Sequence, residues 1–152
     1  MMEEQEPFEI GGEIIKPGTR KVVRIPTSMF PEFPAFNLTA YVIHGKSPGK
    51  TLFLCSTIHG DELNGIAAIK RVLASRHTKH LNGTLIAVPM VNMVGTLIKS
   101  RYLPDRRDLN RSFPGSETGS QASQLAYLFL NEIVKKCNYG IDLHTGSDNR
   151  IN

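Results

Sequence analysis

No stretch of this chain is apolar for the roughly 20 residues that a bilayer span requires. The opening MMEEQEPFEI is acidic where a secretory leader is basic and then apolar. Both absences argue against membrane insertion and export and predict a soluble protein of the cytoplasm. Cysteine is scarce: Cys55 lies in an apolar run, Cys137 near a helix end, and no CxxC spacing joins them. That pattern favours buried free thiols over a disulfide. Clustered basic residues are missing too, since the eighteen Lys and Arg are dispersed in short runs such as Arg106-Arg107 and Lys135-Lys136. A net charge of +4 then suits small anionic partners and not nucleic acid. There is no internal repeat and no low-complexity tract. What is present, 152 residues with 40% apolar and 21% charged content, is enough for one globular domain with a real core.

Along the chain, residues 1–17 read as a loose acidic lead-in, and residues 18–152 as the domain proper. TRKVVRIPTSM alternates as a strand does, FPEFPAF is a proline-broken loop, NLTAYVIHG is a second strand and SPGK a turn. TLFLCSTIHG is continuously apolar, as expected of a strand lying mid-sheet with both faces covered. From Asp61 to Ser75 the apolar positions Leu63, Ile66, Ala67, Ile69, Val72 and Leu73 recur at helical spacing, with acids at the start and bases toward the end. GTLIAVPMVN is a further strand, QASQLAYLFLNEIVKKC a helix and YGIDLHTG a short strand. Alternating strands and helices predict an α/β domain, three layers deep, around a mixed but largely parallel sheet. In such sheets ligands sit beyond the carboxyl ends of the strands, and both His59 and His144 fall there.

A hydrolytic zinc site takes about three protein ligands, commonly two imidazoles and a carboxylate, and keeps a position open for water. His59 and Glu62 form a short-spaced pair, and a turn eased by Gly60 would aim the imidazole from the strand end and the carboxylate from the first helical turn at one point. Taken singly, His59 is better explained as a polar strand end, His144 as a strand cap, and Asp61 and Glu62 as acids complementing a helix dipole. Between them runs a long polar segment, SRYLPDRRDLNRSFPGSETGS, of the kind that is usually functional inside a compact domain. Its guanidinium groups offer planar forks for a carboxylate and positive charge for a developing oxyanion.

HGDE, then DLNRSFPG, then DLHTG, in this order between about Thr51 and Asn152, resemble the succinylglutamate desuccinylase and aspartoacylase family within the zinc carboxypeptidase superfamily. The resemblance implies a zinc-carboxypeptidase-like fold of the phosphorylase/hydrolase-like type. It implies one Zn2+ held by His59, Glu62 and His144, and a substrate carboxylate gripped by Asn110 and Arg111. The oxyanion-stabilising arginine best matches Arg101, with Arg106 and Arg107 as alternatives. Asp142 shares a strand face with His144 and either orients that ligand from behind or joins a structural ion pair. Tyr102, Phe113 and Pro114 fit the mouth of a pocket or ordinary aromatic packing, while His44, His77 and His80 have no comparable setting.

The same resemblance places the proton-accepting glutamate well beyond the second histidine, whereas this chain runs only eight residues past His144. Glu117 and Glu132 do not occupy that position. The expectation is therefore the amino-terminal part of a longer catalytic domain that binds zinc but turns over poorly. The function expected is hydrolysis of the amide bond of an N-acyl amino acid or similar carboxylate-bearing small molecule. A metallocarboxypeptidase would use the same residues, and a non-catalytic domain binding anions or partners through RDLNR would need no metal at all.

Overall fold

The computed structural model describes residues 5–27 and 36–146. Residues 1–4, most of FPEFPAF and the final residues from 147 onward lie outside them. The five-stranded sheet has the order β3-β4-β6-β5-β7. Its strands are β3 (Thr19–Pro26), β4 (Asn37–His44), β5 (Ser47–Ser56), β6 (Asn82–Val88) and β7 (Tyr139–Leu143). β4 is antiparallel to both its neighbours, while β5 runs parallel to β6 and to β7, so β4 alone opposes the other four strands.

The period-2 alternation of β6 divides the core in two. Ile86 and Val88 face a large cluster with Leu125, Ala126 and Phe129 of α3 (Gln121–Glu132), and Leu85 and Ala87 face a smaller one with Ile69 of α1 (Asn64–Ala74). Helices thus cover both faces, giving the expected three layers. β6 holds the middle of the sheet and is buried at six of its seven residues; β5 lies between β6 and the edge strand β7.

Several local expectations are corrected. The lead-in is not loose: β1 (Phe8–Ile10) and β2 (Glu13–Ile15) pair as a hairpin because Ile10 and Ile15, 0% and 1% exposed, belong to the larger core. SPGK is not a turn but the first part of β5, where it continues beside β6 across a register irregularity. α1 starts at Asn64, not Asp61, since the Glu62 amide closes a tight turn on the His59 carbonyl at 3.1 Å and no acid lies in the first helical turn. The QASQLAYLFLNEIVKKC helix ends at Glu132 and gives way to a 3-10 turn over Val134–Lys136. A short helix, α2 (Met93–Leu97), follows β6. No helix among the described residues is long and apolar enough to cross a membrane. Both cysteines are free, Cys55 buried and Cys137 half-buried.

Candidate metal centre

The carboxyl ends of β5 and β7, adjacent and parallel, bring the two distant histidines together. Out of β5 the chain passes through Thr57 at φ 54, a region that β-branched residues rarely adopt and that persists where the surroundings dictate it. Those surroundings are backbone bonds: the Val91 amide donates to the Ser56 carbonyl at 3.2 Å and the Asn92 amide to the Thr57 carbonyl at 3.0 Å. Gly60 does not supply the turn through a positive φ. Its role is close approach, because a Cβ there would lie 2.1 Å from the Gly95 carbonyl carbon and 2.4 Å from the Thr96 nitrogen in α2.

His59 and Glu62 emerge buried, each 4% exposed, and the ligand atoms of His59, Glu62 and His144 all lie within 4.8 Å of one another. The two imidazole centroids are 5.0 Å apart. Glu62 Oε1 is 2.8 Å from His59 Nδ1, and Oε2 is 2.9 Å from His144 Nδ1 and accepts from the Thr145 amide at 2.9 Å. Behind each imidazole stands another carboxylate: Asp108 Oδ1 is 3.2 Å from His59 Nε2, and Asp142 Oδ2 is 2.7 Å from His144 Nε2. Asp142 thus meets the outer nitrogen of His144, a contact that serves both of its expected placements, orienting carboxylate and ion-pair partner.

This arrangement tests whether the residues suit a cation. A neutral imidazole has one N–H, yet each ring here has a carboxylate oxygen at both nitrogens. If the outer carboxylates take the Nε2 hydrogens, both Nδ1 lone pairs face Glu62 oxygens, which is repulsive unless positive charge lies between them. Three carboxylates against the single guanidinium of Arg101 also leave about two negative charges in excess when the imidazoles are neutral, which protons on the two rings or one divalent ion in their place would balance. Nitrogen and oxygen donors in this number fit zinc, and a carboxylate behind each histidine is the usual support for metal-binding imidazoles.

The charges are mutually supportive. Burial alone would raise the Glu62 carboxyl, but the Thr145 amide, His59 and His144 together hold it below its ordinary range. Asp108 is likewise held low: burial opposes this, and the Arg101 guanidinium, the Asn110 amide and His59 outweigh it. Burial opposes charging of His144, yet Asp142 and Glu62 raise it above an ordinary histidine.

Of the three candidate arginines, Arg101 reaches the cluster. Its Nε and Nη2 donate to Asp108 Oδ2 at 3.3 and 3.0 Å, and its Nη1 is 3.7 Å from Glu62 Oε1. Arg106 and Arg107 make no side-chain hydrogen bond or ion pair with the cluster among the described residues. Asn110 and Arg111 lie on a 3-10 turn, Leu109–Arg111, capped by the Asp108 carboxylate, which accepts from the Asn110 amide at 2.9 Å. Both side chains are exposed and uncommitted among the described residues. Phe113 packs against Phe129 with centroids 6.3 Å apart, while Tyr102 is 44% exposed. Glu132 accepts from the Gly11 amide and lies near Lys136, and Glu117 is beside Tyr127, so neither joins the cluster. His77 and His80 are exposed on a separate 3-10 turn; His44 is buried against Thr84 and the Glu6 carbonyl.

Two residues of the site were not singled out from sequence. Asp108 unites His59, Arg101 and the Asn110 turn, and its signal is its place as a capping aspartate immediately before that turn. Asn92, 0% exposed, caps α2 at the Gly95 amide and reaches the carbonyls of Ile58 and Arg101 at 3.5 Å, stapling both sides of the site.

Residues 48–152 match the succinylglutamate desuccinylase/aspartoacylase catalytic domain. The N-alpha-acetyl-L-2,4-diaminobutyric acid deacetylase of Halomonas elongata is 34% identical over 102 residues, 66% of this chain and 30% of that protein. The crystal structure of a succinylglutamate desuccinylase/aspartoacylase from Rhodobacter sphaeroides superposes with a TM-score of 0.71 at 29% identity, covering 84% of this chain and 39% of its own. A metallo-carboxypeptidase from Burkholderia cenocepacia shares the fold alone, with a TM-score of 0.66 at 16% identity over 85% of this chain and 37% of its own. The chain thus spans less than half the length of each of these relatives. By the match over its last 105 residues, it belongs to the succinylglutamate desuccinylase/aspartoacylase family.

Proposed function

We propose that this chain carries the metal- and carboxylate-binding portion of a zinc-dependent, cytoplasmic hydrolase that cleaves the amide bond of an N-acyl amino acid. The observation that carries the reading is the convergence of His59, Glu62 and His144, each imidazole backed by a carboxylate, with one of those carboxylates, Asp108, capping the turn that carries Asn110 and Arg111. The deacetylase named for the Halomonas relative agrees with that substrate class.

Held by His59, Glu62 and His144, zinc would supply Lewis acidity for an amide carbonyl and for water. The other residues divide the remaining work. Arg111 offers a fork for the substrate carboxylate and Asn110 an amide beside it, which orients the acyl group toward the ligand cluster. Arg101, fixed by two bonds to Asp108, puts positive charge where the attacked carbonyl oxygen becomes negative. Proton transfer from water to the leaving amine needs a further carboxylate. Among the described residues Glu62, Asp108 and Asp142 are all committed to imidazoles, and no other carboxylate joins them.

Calorimetric titration of the zinc-loaded chain tests the reading. N-acyl amino acids should bind and the corresponding N-acyl amines lacking a carboxylate should not, with binding lost on chelation. Equal binding of both, or none to either, would overturn it.

A further inference from the structure

The β5–β7 register places Cys55 directly opposite Asp142, on the sheet face that carries the larger core. Cys55 is 1% exposed, and its Sγ lies 3.4 Å from Asp142 Oδ1. The second oxygen, Oδ2, is 2.7 Å from His144 Nε2. Asp142 therefore divides its oxygens between a buried thiol and the outer nitrogen of the imidazole whose Nδ1 faces Glu62. The thiol keeps its hydrogen, because burial and then the Asp142 charge push its ionisation far above the ordinary range. A thiol that stays protonated beside a carboxylate acts as a donor.

Building on the proposed ion at His59, Glu62 and His144, we propose that Cys55 is a positioning residue for that centre, its S–H donating to Asp142 Oδ1 and fixing the carboxylate that orients the His144 ring. No other donor among the described residues is within hydrogen-bond distance of Asp142 Oδ1. A carboxylate directly behind a metal-binding histidine is commonly worth 10–100-fold in affinity. A group acting through that carboxylate should be worth roughly threefold to tenfold.

The test is competition for Zn2+ against a chromophoric chelator, using the unaltered chain, Cys55→Ala and Cys55→Ser, and each substitution again on an Asp142→Asn background. Cys55→Ala should weaken zinc binding by that factor, and Cys55→Ser, which keeps a donor hydrogen, should restore most of it. On the Asp142→Asn background Cys55→Ala should cost clearly less, because an uncharged amide oxygen accepts more weakly and the charge behind His144 is gone. Unchanged affinity in Cys55→Ala, or the same loss on both backgrounds as pure packing would give, overturns the inference. If the unaltered chain binds no zinc, the metal reading fails instead, and Cys55 is then judged from the infrared S–H stretch of the metal-free chain. That band should lie below the band of Cys137, which has no acceptor among the described residues, and should shift toward it in Asp142→Asn; a band indifferent to Asp142→Asn contradicts the proposal.

Discussion

At the cluster each carboxylate oxygen of Glu62 answers to a different group, Oε1 to His59 and Arg101, Oε2 to His144 and the Thr145 amide. Glu62→Ala should therefore abolish tight zinc binding, measured by equilibrium dialysis. Asp108→Asn keeps the shape of its side chain but loses the charge shared by His59 and Arg101, and should weaken zinc roughly 10–100-fold. Arg111→Ala should leave zinc in place and cost about 1.5–3 kcal/mol in binding of an N-acyl amino acid, the worth of a hydrogen bond to a charged group. Equal zinc loss in Glu62→Ala and Arg111→Ala would contradict their separate roles. The convergence of His59, Glu62 and His144 was legible in HGDE and DLHTG, since both motifs fall at the ends of adjacent parallel strands. Asp108 and Asn92 were not, because a capping aspartate and a capping asparagine are ordinary in any loop, and only the folded contacts show what else their oxygens and amides reach.

Among the elements, the turn from β5 into α1 depends on how closely α2 can approach it. Gly60→Ala would drive a Cβ into backbone of α2 that has no flexible end to move aside, and should destabilise the fold by about 1–3 kcal/mol or more, read as a lower denaturation midpoint. A midpoint unchanged from the unaltered chain would show that α2 can retreat. Hydrophobic periodicity revealed most elements, because β6 alternates between two cores and α1 carries one apolar stripe. It did not reveal the β1–β2 hairpin, where Ile10 and Ile15 are isolated apolar residues in an acidic, glycine-containing stretch. Nor did it reveal α2, five residues long and too short to show a helical period. The true start of α1 was hidden for a different reason: Asp61 and Glu62 look like first-turn acids, but the Glu62 side chain is spent on two imidazoles and a backbone amide.

Over the whole molecule, stability should depend on pH through the buried thiols and on metal through the cluster. Cys55 is pushed far above the ordinary thiol range by burial and by Asp142, and Cys137 is pushed up to about 11 by burial. In the unfolded chain both ionise near pH 8.5. Above that pH the unfolded state holds fewer protons than the folded one, so stability falls as pH rises, by about 1.4 kcal/mol per pH unit for each thiol. Urea denaturation between roughly pH 9 and 10 should show a shallower fall for Cys55→Ala than for the unaltered chain, by about that amount; parallel slopes would show that Cys55 ionises in the folded state as readily as in the unfolded. Free Zn2+ at about 100 times its dissociation constant should add about 2.7 kcal/mol if it binds the folded chain alone. The most direct measurement is an anomalous difference map from crystals of the zinc-loaded chain, recorded at the zinc edge. It should show one peak within bonding distance of His59 Nδ1, His144 Nδ1 and a Glu62 oxygen; a map with no peak there, or with zinc on the Nε2 side of either ring, would contradict it.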